Sequence, residues 1–317
     1  MSVYILHTLI LYTRAKMKKL FAFIMTMGLC MSAFASEGQV SASANADSDT
    51  LAYQQVLIWP DGNYPQTNGH EGEPTQEKWV GTPFMDIYLA DASNNTHRMV
   101  VCLPGGGYSH LARAHEGNQW APYFISQGIN FVVLNYRMPY GNHLIPQSDV
   151  IQAMRYLRAH AEEMGVDAQA IGIMGHSAGG HLATTIATHA PKDARPNFQI
   201  LFYPVVSMDE KYTHRGSRDN FLGKKPEKEF VEMYCNEKQV DEMTSPAIIL
   251  LADDDTAVPS PNSVNYYLAM KKNGIPATLH VYPSGGHGFG CRENFGYHKA
   301  MLQDLTDWLS QLRPKAL

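Results

Sequence analysis

Short apolar runs alternate along this chain with longer stretches in which apolar residues return every three or four positions. The runs predict buried strands, and the returning pattern predicts amphipathic helices. Residues 84–89 alternate apolar and polar side chains, as a strand does. RMVVCL at 98–103 is an apolar run that ends in Pro104-Gly105-Gly106-Gly107, a buried strand entering a loop. Residues 116–126 set Trp120, Tyr123 and Phe124 at core spacing in a helix, and INFVVL at 129–134 predicts the next strand. Over 148–164, Val150, Ile151, Met154, Leu157 and Ala161 keep the 3.6-residue helical period. Strands follow at 170–174, 198–203, 247–251 and 277–282, with helices at 178–189, 264–272 and 297–312.

Strands separated by helices imply βαβ units, and therefore an α/β fold with a mostly parallel central sheet and helices on both faces. Reactive groups in such sheets collect at the carboxyl ends of the strands. Residues 60–83, rich in Pro, Gly, Asn and Glu, read as a long loop. Residues 205–245 are polar and carry helix formers without a strong apolar period, which predicts a small cap or lid insertion. Residues 51–317 thus read as a single domain with that insertion, preceded by a small, polar, disordered leader at 36–50.

The first stretch reads as an address. Residues 17–35 join Lys18 and Lys19 to an apolar core from Leu20 to Met31 and a small-x-small site at Ala33-Phe34-Ala35. That pattern predicts a secretory signal peptide cut after Ala35, with Met17 as the natural start and a periplasmic or secreted product. Its apolar core is too short to span a bilayer, so no integral span is expected in the mature chain. Lipidation at Cys30 is disfavoured by the bulk of Leu29. Cys102, Cys235 and Cys291 would then remain, an odd number, and Cys102 reads as free and buried in its strand.

Composition narrows the field. A hydrophobic share of 44% against 17% charged residues is too apolar for a disordered protein. A net charge of −5 argues against a nucleic-acid partner, which needs clustered positive charge. Four cysteines are too few for a disulfide scaffold. No metal-ligand spacing such as C-x-x-C or H-E-x-x-H is present.

The candidate chemistry starts at Gly175-His176-Ser177-Ala178-Gly179, a G-x-S-x-G pattern between an apolar strand and a helix. A sharp strand-to-helix turn exposes the Ser177 hydroxyl, and large side chains two positions either side would collide. A serine hydroxyl needs a base. His287, set among glycines in SGGHGFG, is the candidate, with His214 a weak alternative; His280 lies inside a strand and His298 in the last helix. The acid should follow the 247–251 strand, where Asp253, Asp254 and Asp255 stand together. Asp255 is favoured by its place between the strand's end and Pro259, with Asp254 as runner-up. Gly106 and Gly107, after the 98–103 strand, and Ala178 at a helix N-terminus are the candidate N–H donors to an oxyanion. Tyr108, His115, Glu116, Trp120 and His176 are candidates to border the pocket, with Trp120 equally fitted to the core. Arg215 and Arg218 read as a solvated lid face, with contact to acidic sugars as the alternative. Asp149, Arg155 and Arg158 read as helix-surface ion pairs.

From Val100 to Trp308 the chain resembles the α/β-hydrolase fold esterases. PGGGY stands where lipase-type enzymes carry an HGGG loop, with Pro104 in the place of the usual His. GHSAGGHLA, DDDTAVP and PSGGHGFG resemble the elbow, acid and base segments of exported bacterial carbohydrate esterases of the acetylxylan esterase type. HEG at 115–117, NYRMP at 135–139 and NEKQV at 236–240 are similar too. The resemblance implies a serine carboxylesterase that removes small acyl groups, acetyl above all, from plant polysaccharide or oligosaccharide. It implies a Ser177–His287–Asp255 triad, an acyl-enzyme, and no cofactor or metal. A feruloyl ester is an alternative, because the aromatic residues would suit an acyl pocket. A prolyl-oligopeptidase-like peptidase shares the Ser, Asp, His order, but such proteins usually carry a large N-terminal propeller. A non-catalytic carbohydrate binder is disfavoured because every catalytic part is present. A long-chain lipase is disfavoured by the charged lid segment.

Overall fold

The computed structural model describes residues 51–75 and 80–317. The expected signal peptide, the leader and Cys30 lie outside the described residues. Among the described residues eight strands form one sheet in the order β1-β2-β4-β3-β5-β6-β7-β8. They are β1 (Gln54–Leu57), β2 (Phe84–Tyr88), β3 (Met99–Leu103), β4 (Asn130–Asn135), β5 (Ile171–His176), β6 (Gln199–Phe202), β7 (Ala247–Ala252) and β8 (Ala277–Tyr282). β2 pairs antiparallel with both β1 and β4, and the ladders from β4 through β8 are parallel. The mostly parallel sheet expected from the alternating pattern is therefore present.

Among the described residues seven α-helices accompany it: α1 (Ala121–Ser126), α2 (Leu144–Ala159), α3 (Ala178–His189), α4 (Arg215–Leu222), α5 (Lys228–Met233), α6 (Pro261–Lys272) and α7 (His298–Gln311). Successive strand residues face opposite sides of the sheet, so each buried strand feeds two cores. On one side Val101, Leu103, Ile171 and Ile173 pack with Val150 and Met154 of α2, Leu182 of α3 and Tyr266 of α6. On the other, Val100, Cys102, Phe131 and Met174 pack with Phe124 of α1 and Met301 and Leu305 of α7. This two-sided burial is why the strands read as continuous apolar runs rather than as alternations.

The differences from the sequence reading have local causes. β1 has only four residues, two of them Gln, too little apolar signal to announce a strand. α2 starts at Leu144 rather than 148, because Pro146 is tolerated in a first turn, where its missing N–H has no intrahelical partner. Residues 116–120 are not α-helical: a 3₁₀ turn at Asn118–Trp120 precedes α1. Asp149 and Arg158 are not surface ion pairs. Asp149 is fully buried against Arg137, at 2.7 Å, and Trp59 Nε1. Arg158 donates to the carbonyls of Ala168 and Arg195 and to Asn197. Arg155 does pair at the surface, with Asp193 at 2.7 Å.

The segment at 205–245 joins β6 to β7 and is tied into the body. Val205, Val206, Met208, Phe221, Tyr234 and Cys235 are buried in the core that holds α2 and α3. Its helices are too short for their few apolar residues to show a period. Arg218 is buried and bonded to Glu210 at 3.0 Å, whereas Arg215 is exposed. Cys102 and Cys235 are buried free thiols, and Cys291, half-buried, is free as well. Among the described residues no helix is long and apolar enough to cross a membrane.

Candidate active site

β5 runs straight into α3 through Ser177, which holds φ 52° and ψ −119°. This backbone region costs a non-glycine residue on the order of 1–3 kcal/mol and persists only where the surroundings impose it. Here they do. The Ser177 N–H donates to the Phe202 carbonyl at 3.1 Å, and its own carbonyl accepts from His181 and Val205. A Cβ on Gly175 would lie 2.4 Å from the Gly179 carbonyl oxygen, and one on Gly179 would lie 2.1 Å from that of Leu103. The two glycines of the pattern are thus required by backbone approach, and the turn aims the serine hydroxyl outward.

His287 stands on the loop after β8. Its Nε2 is 2.8 Å from Ser177 Oγ, and its Nδ1 is 2.7 Å from Asp255 Oδ2. The other Asp255 oxygen accepts from the N–H groups of Ala257 and Val258, both at 2.9 Å, so the buried carboxylate is held on two sides. Asp254 turns the other way and accepts from the Gly286 N–H at 2.7 Å. That bond braces the histidine loop, and it holds the Asp254 carboxyl below the usual carboxylate range. Of the three adjacent aspartates, Asp255 is the one placed on the imidazole. His280 instead meets Asp304 at 3.2 Å, away from the serine.

The loop after β3 supplies donors. The Pro104 carbonyl accepts from Tyr136 Oη at 2.6 Å, and the Gly105 N–H donates to Glu116 at 2.9 Å. Gly106 has φ 127° and Gly107 φ 64°, conformations open to glycine. A Cβ on Gly106 would strike the His110 carbonyl at 2.1 Å. Among the described residues nothing accepts from the Gly106 or Gly107 N–H. Ala178 is the first residue of α3, so its N–H has no intrahelical acceptor.

A cleft of about 400 Å³ joins these parts. It is lined by Gly106, Gly107, Ser109, His110, Ala112, His115, Glu116, Ser177, His214, Gly216, Asn220, His287 and Gly288. Glu116 and His115 border it as expected. Three other candidates do not. Tyr108 is buried, its hydroxyl 2.9 Å from His181 Nδ1 and its ring stacked on Phe221. His176 is fully buried, stacked on Phe202 at 4.9 Å, and burial pushes its pKa far down. Trp120 packs in the core between α1 and the sheet. Tyr108 directly follows Gly107 and His176 directly precedes Ser177, but loop and strand geometry turn both side chains inward.

Glu116 is a buried carboxylate bonded to Gly105 N–H and, at 2.8 Å, to Tyr203 Oη. Burial raises its pKa against the opposing effect of these bonds. Tyr203 Oη also accepts from the Gly290 N–H at 2.9 Å, and its ring lies edge-on to His287 with centroids 4.9 Å apart. Glu116 and Tyr203 thereby join the β3 loop to the histidine loop. No local pattern in the sequence marks Tyr203, His110 or Asn220 as part of the site, and His214 reads there only as an alternative base. Among the described residues no group of three His, Cys, Asp or Glu side chains is placed to hold a metal ion.

The sheet order, the strained serine turn and the loops gathered at the carboxyl ends of β3, β5, β7 and β8 define the class, an α/β-hydrolase. The chain belongs to the BD-FAE family, whose model matches residues 85–270. It is 45% identical over 223 residues to an acetylxylan esterase of Xylanibacter ruminicola, an alignment covering 69% of this chain and 46% of that protein. It is 34% identical over 221 residues to an endo-1,4-beta-xylanase B of Butyrivibrio fibrisolvens, covering 65% of this chain and 34% of that protein. The chain therefore spans less than half the length of these two relatives. The crystal structure of an acetyl ester-xyloside bifunctional hydrolase from Caldicellulosiruptor lactoaceticus superimposes with a TM-score of 0.74 at 29% identity, covering 83% of this chain and 98% of that one.

Proposed function

We propose that this protein is a serine carboxylesterase that removes acetyl groups from xylan or xylo-oligosaccharides, with Ser177, His287 and Asp255 as its catalytic residues. The observation that carries the reading is the continuous hydrogen-bonded chain from Ser177 Oγ through His287 to Asp255. The 45% identity to an acetylxylan esterase supports the substrate. The lining of the cleft supports a small acyl group over a feruloyl ring: among the described residues it includes no Phe, Tyr or Trp.

His287 takes the Ser177 proton as the oxygen attacks the ester carbonyl. The carbonyl π electrons move to oxygen, and this oxyanion rests on the N–H groups of Gly106, Gly107 and Ala178. Such donors fit the transition state better than the ground state, and each is worth about 10²–10³ in rate. As the C–O bond to the sugar breaks, His287 hands its proton to the departing alkoxide. Water then repeats the sequence on the acyl-enzyme, releasing acetate and the serine. Asp255 keeps Nδ1 of His287 protonated, so that Nε2 faces the serine as the base. The residues at 17–35 add the expectation of export to the periplasm or beyond.

The test is acetate release from acetylated xylan, acetylated pectin and a feruloylated oligosaccharide, with Ser177→Ala alongside. Ser177-dependent release from xylan is expected. Undiminished turnover in Ser177→Ala would overturn the catalytic assignment, and preference for pectin or ferulate would overturn the substrate.

A further inference from the structure

We infer that His214 is a substrate-binding residue that donates a hydrogen bond from Nε2 to an oxygen of the sugar leaving group, and so favours glycosyl esters over simple alkyl esters. The inference rests on the esterase reading and deepens it.

His214 is the N-cap of α4. Its Nδ1 accepts from the Ser217 N–H at 3.2 Å and lies 2.8 Å from Ser217 Oγ. A ring nitrogen that accepts from a backbone N–H carries no proton, so the neutral ring must carry its proton on Nε2. The cap therefore fixes the tautomer. His214 lines the cleft, and Nε2 has no partner among the described residues. Its ring lies beside the donor loop, with Cε1 3.6 Å from where a Cβ on Gly107 would stand. Burial, reinforced by His287 and opposed by Asp255, keeps the His214 pKa below the ordinary imidazole value. A neutral, oriented N–H beside a serine and its base suits a neutral oxygen acceptor.

The position indicates which part of the substrate it meets. His287 must return its proton to the departing alkoxide, so the leaving group lies on the His287 side of the cleft. His214, Ser177 and His287 all line this one cleft. The nearby Asn220 amide is already committed to the Gly107 carbonyl. That leaves His214 as an uncommitted donor in the cleft that receives the leaving group.

The experiment compares His214→Asn and His214→Ser with the parent protein on an acetylated xylo-oligosaccharide and on ethyl acetate. Asn and Ser are both good N-caps, so either keeps the start of α4, while their shorter side chains draw the donor back from the position of Nε2 in the cleft. The thermal midpoint of each reports that the cap is retained. We expect kcat/KM on the sugar ester to fall about 5- to 10-fold, mostly through KM, with ethyl acetate changed less than about twofold. An equal fall on both substrates would show that His214 acts on the common machinery, and no fall on either would show that it binds nothing; each overturns the inference. Failure of the esterase reading looks different: the parent protein would then show no Ser177-dependent turnover of ethyl acetate.

Discussion

The side-chain amide of Asn220 donates to the Gly107 carbonyl across 2.8 Å. Through this bond the segment between β6 and β7 holds the glycine loop that follows β3. The loop has φ angles open to glycine at both Gly106 and Gly107, so its backbone would otherwise have many alternatives. Asn220→Ala should therefore lower kcat about 3- to 10-fold while costing only ~1 kcal/mol of stability, the net value of one hydrogen bond. Steady-state kinetics beside urea denaturation decides it. A kcat equal to that of the parent would mean that the loop holds its shape without Asn220.

Asp255 bonds to His287 and Asp254 to the Gly286 N–H, and a pair of isosteric changes separates the roles proposed for them. Asp255→Asn leaves an amide opposite His287 Nδ1, which disfavours the tautomer the reaction needs; kcat should fall by about 10³–10⁴. Asp254→Asn keeps an oxygen acceptor for the Gly286 N–H. Its kcat should stay within about threefold of the parent's, the size expected for a weakened bond to an exposed loop. Comparable losses in both variants would contradict the arrangement.

What was legible beforehand follows from how local each constraint is. Ser177 could be read because its turn is enforced by Gly175 and Gly179, two positions away on either side. His287 could be read because glycines surround it. Asp255 was distinguished from Asp254 by turn position alone, and the contact with His287 across 32 residues is visible only in the fold. Tyr203 and Asn220 act through partners 87 and 113 positions away, and no local pattern records such a contact. Tyr108 and His176 show the opposite failure. Both sit beside residues of the proposed site, and both side chains turn into the core. Asp149 falls in the same group: the helix period placed it at the surface, but a buried Arg137 waits for it.

Glu116 offers a test by pH. Its folded-state pKa lies above the ordinary 4.5, first because it is buried. Between 4.5 and that raised value the folded chain keeps a proton that the unfolded chain has lost. Its contribution to stability is therefore fully present below 4.5 and is lost as pH rises through the folded-state pKa. Glu116→Gln cannot titrate and still offers an oxygen to the Gly105 N–H. The stability of the parent relative to Glu116→Gln should decline as pH rises above 4.5 and then level off. Parallel curves from urea unfolding across this range would show that the carboxyl is not shifted.

His181 carries the opposite sign. Its ring is fully buried between Tyr108 Oη and the Tyr234 carbonyl, with Nε2 3.0 Å from that carbonyl. A carbonyl only accepts, so Nε2 holds the proton and Nδ1 accepts from the tyrosine. Both nitrogens are used by the neutral ring, and burial lowers the pKa to about 3. An unfolded histidine titrates near 6.5. Between those values the unfolded chain binds a proton that the folded chain refuses, so this contribution is fully present above about 6.5 and is lost as pH falls toward 3. One such proton corresponds to ~1.4 kcal/mol per pH unit. His181→Gln supplies a donor and an acceptor but no titration. It should be less stable than the parent at neutral pH, by about 1–3 kcal/mol for imperfectly remade bonds. Its stability should then fall less steeply below pH 6.5, by about one proton. Tryptophan fluorescence during urea unfolding at pH 7, 6 and 5 measures both quantities, and equal slopes in the two proteins would mean that His181 is protonated inside the fold.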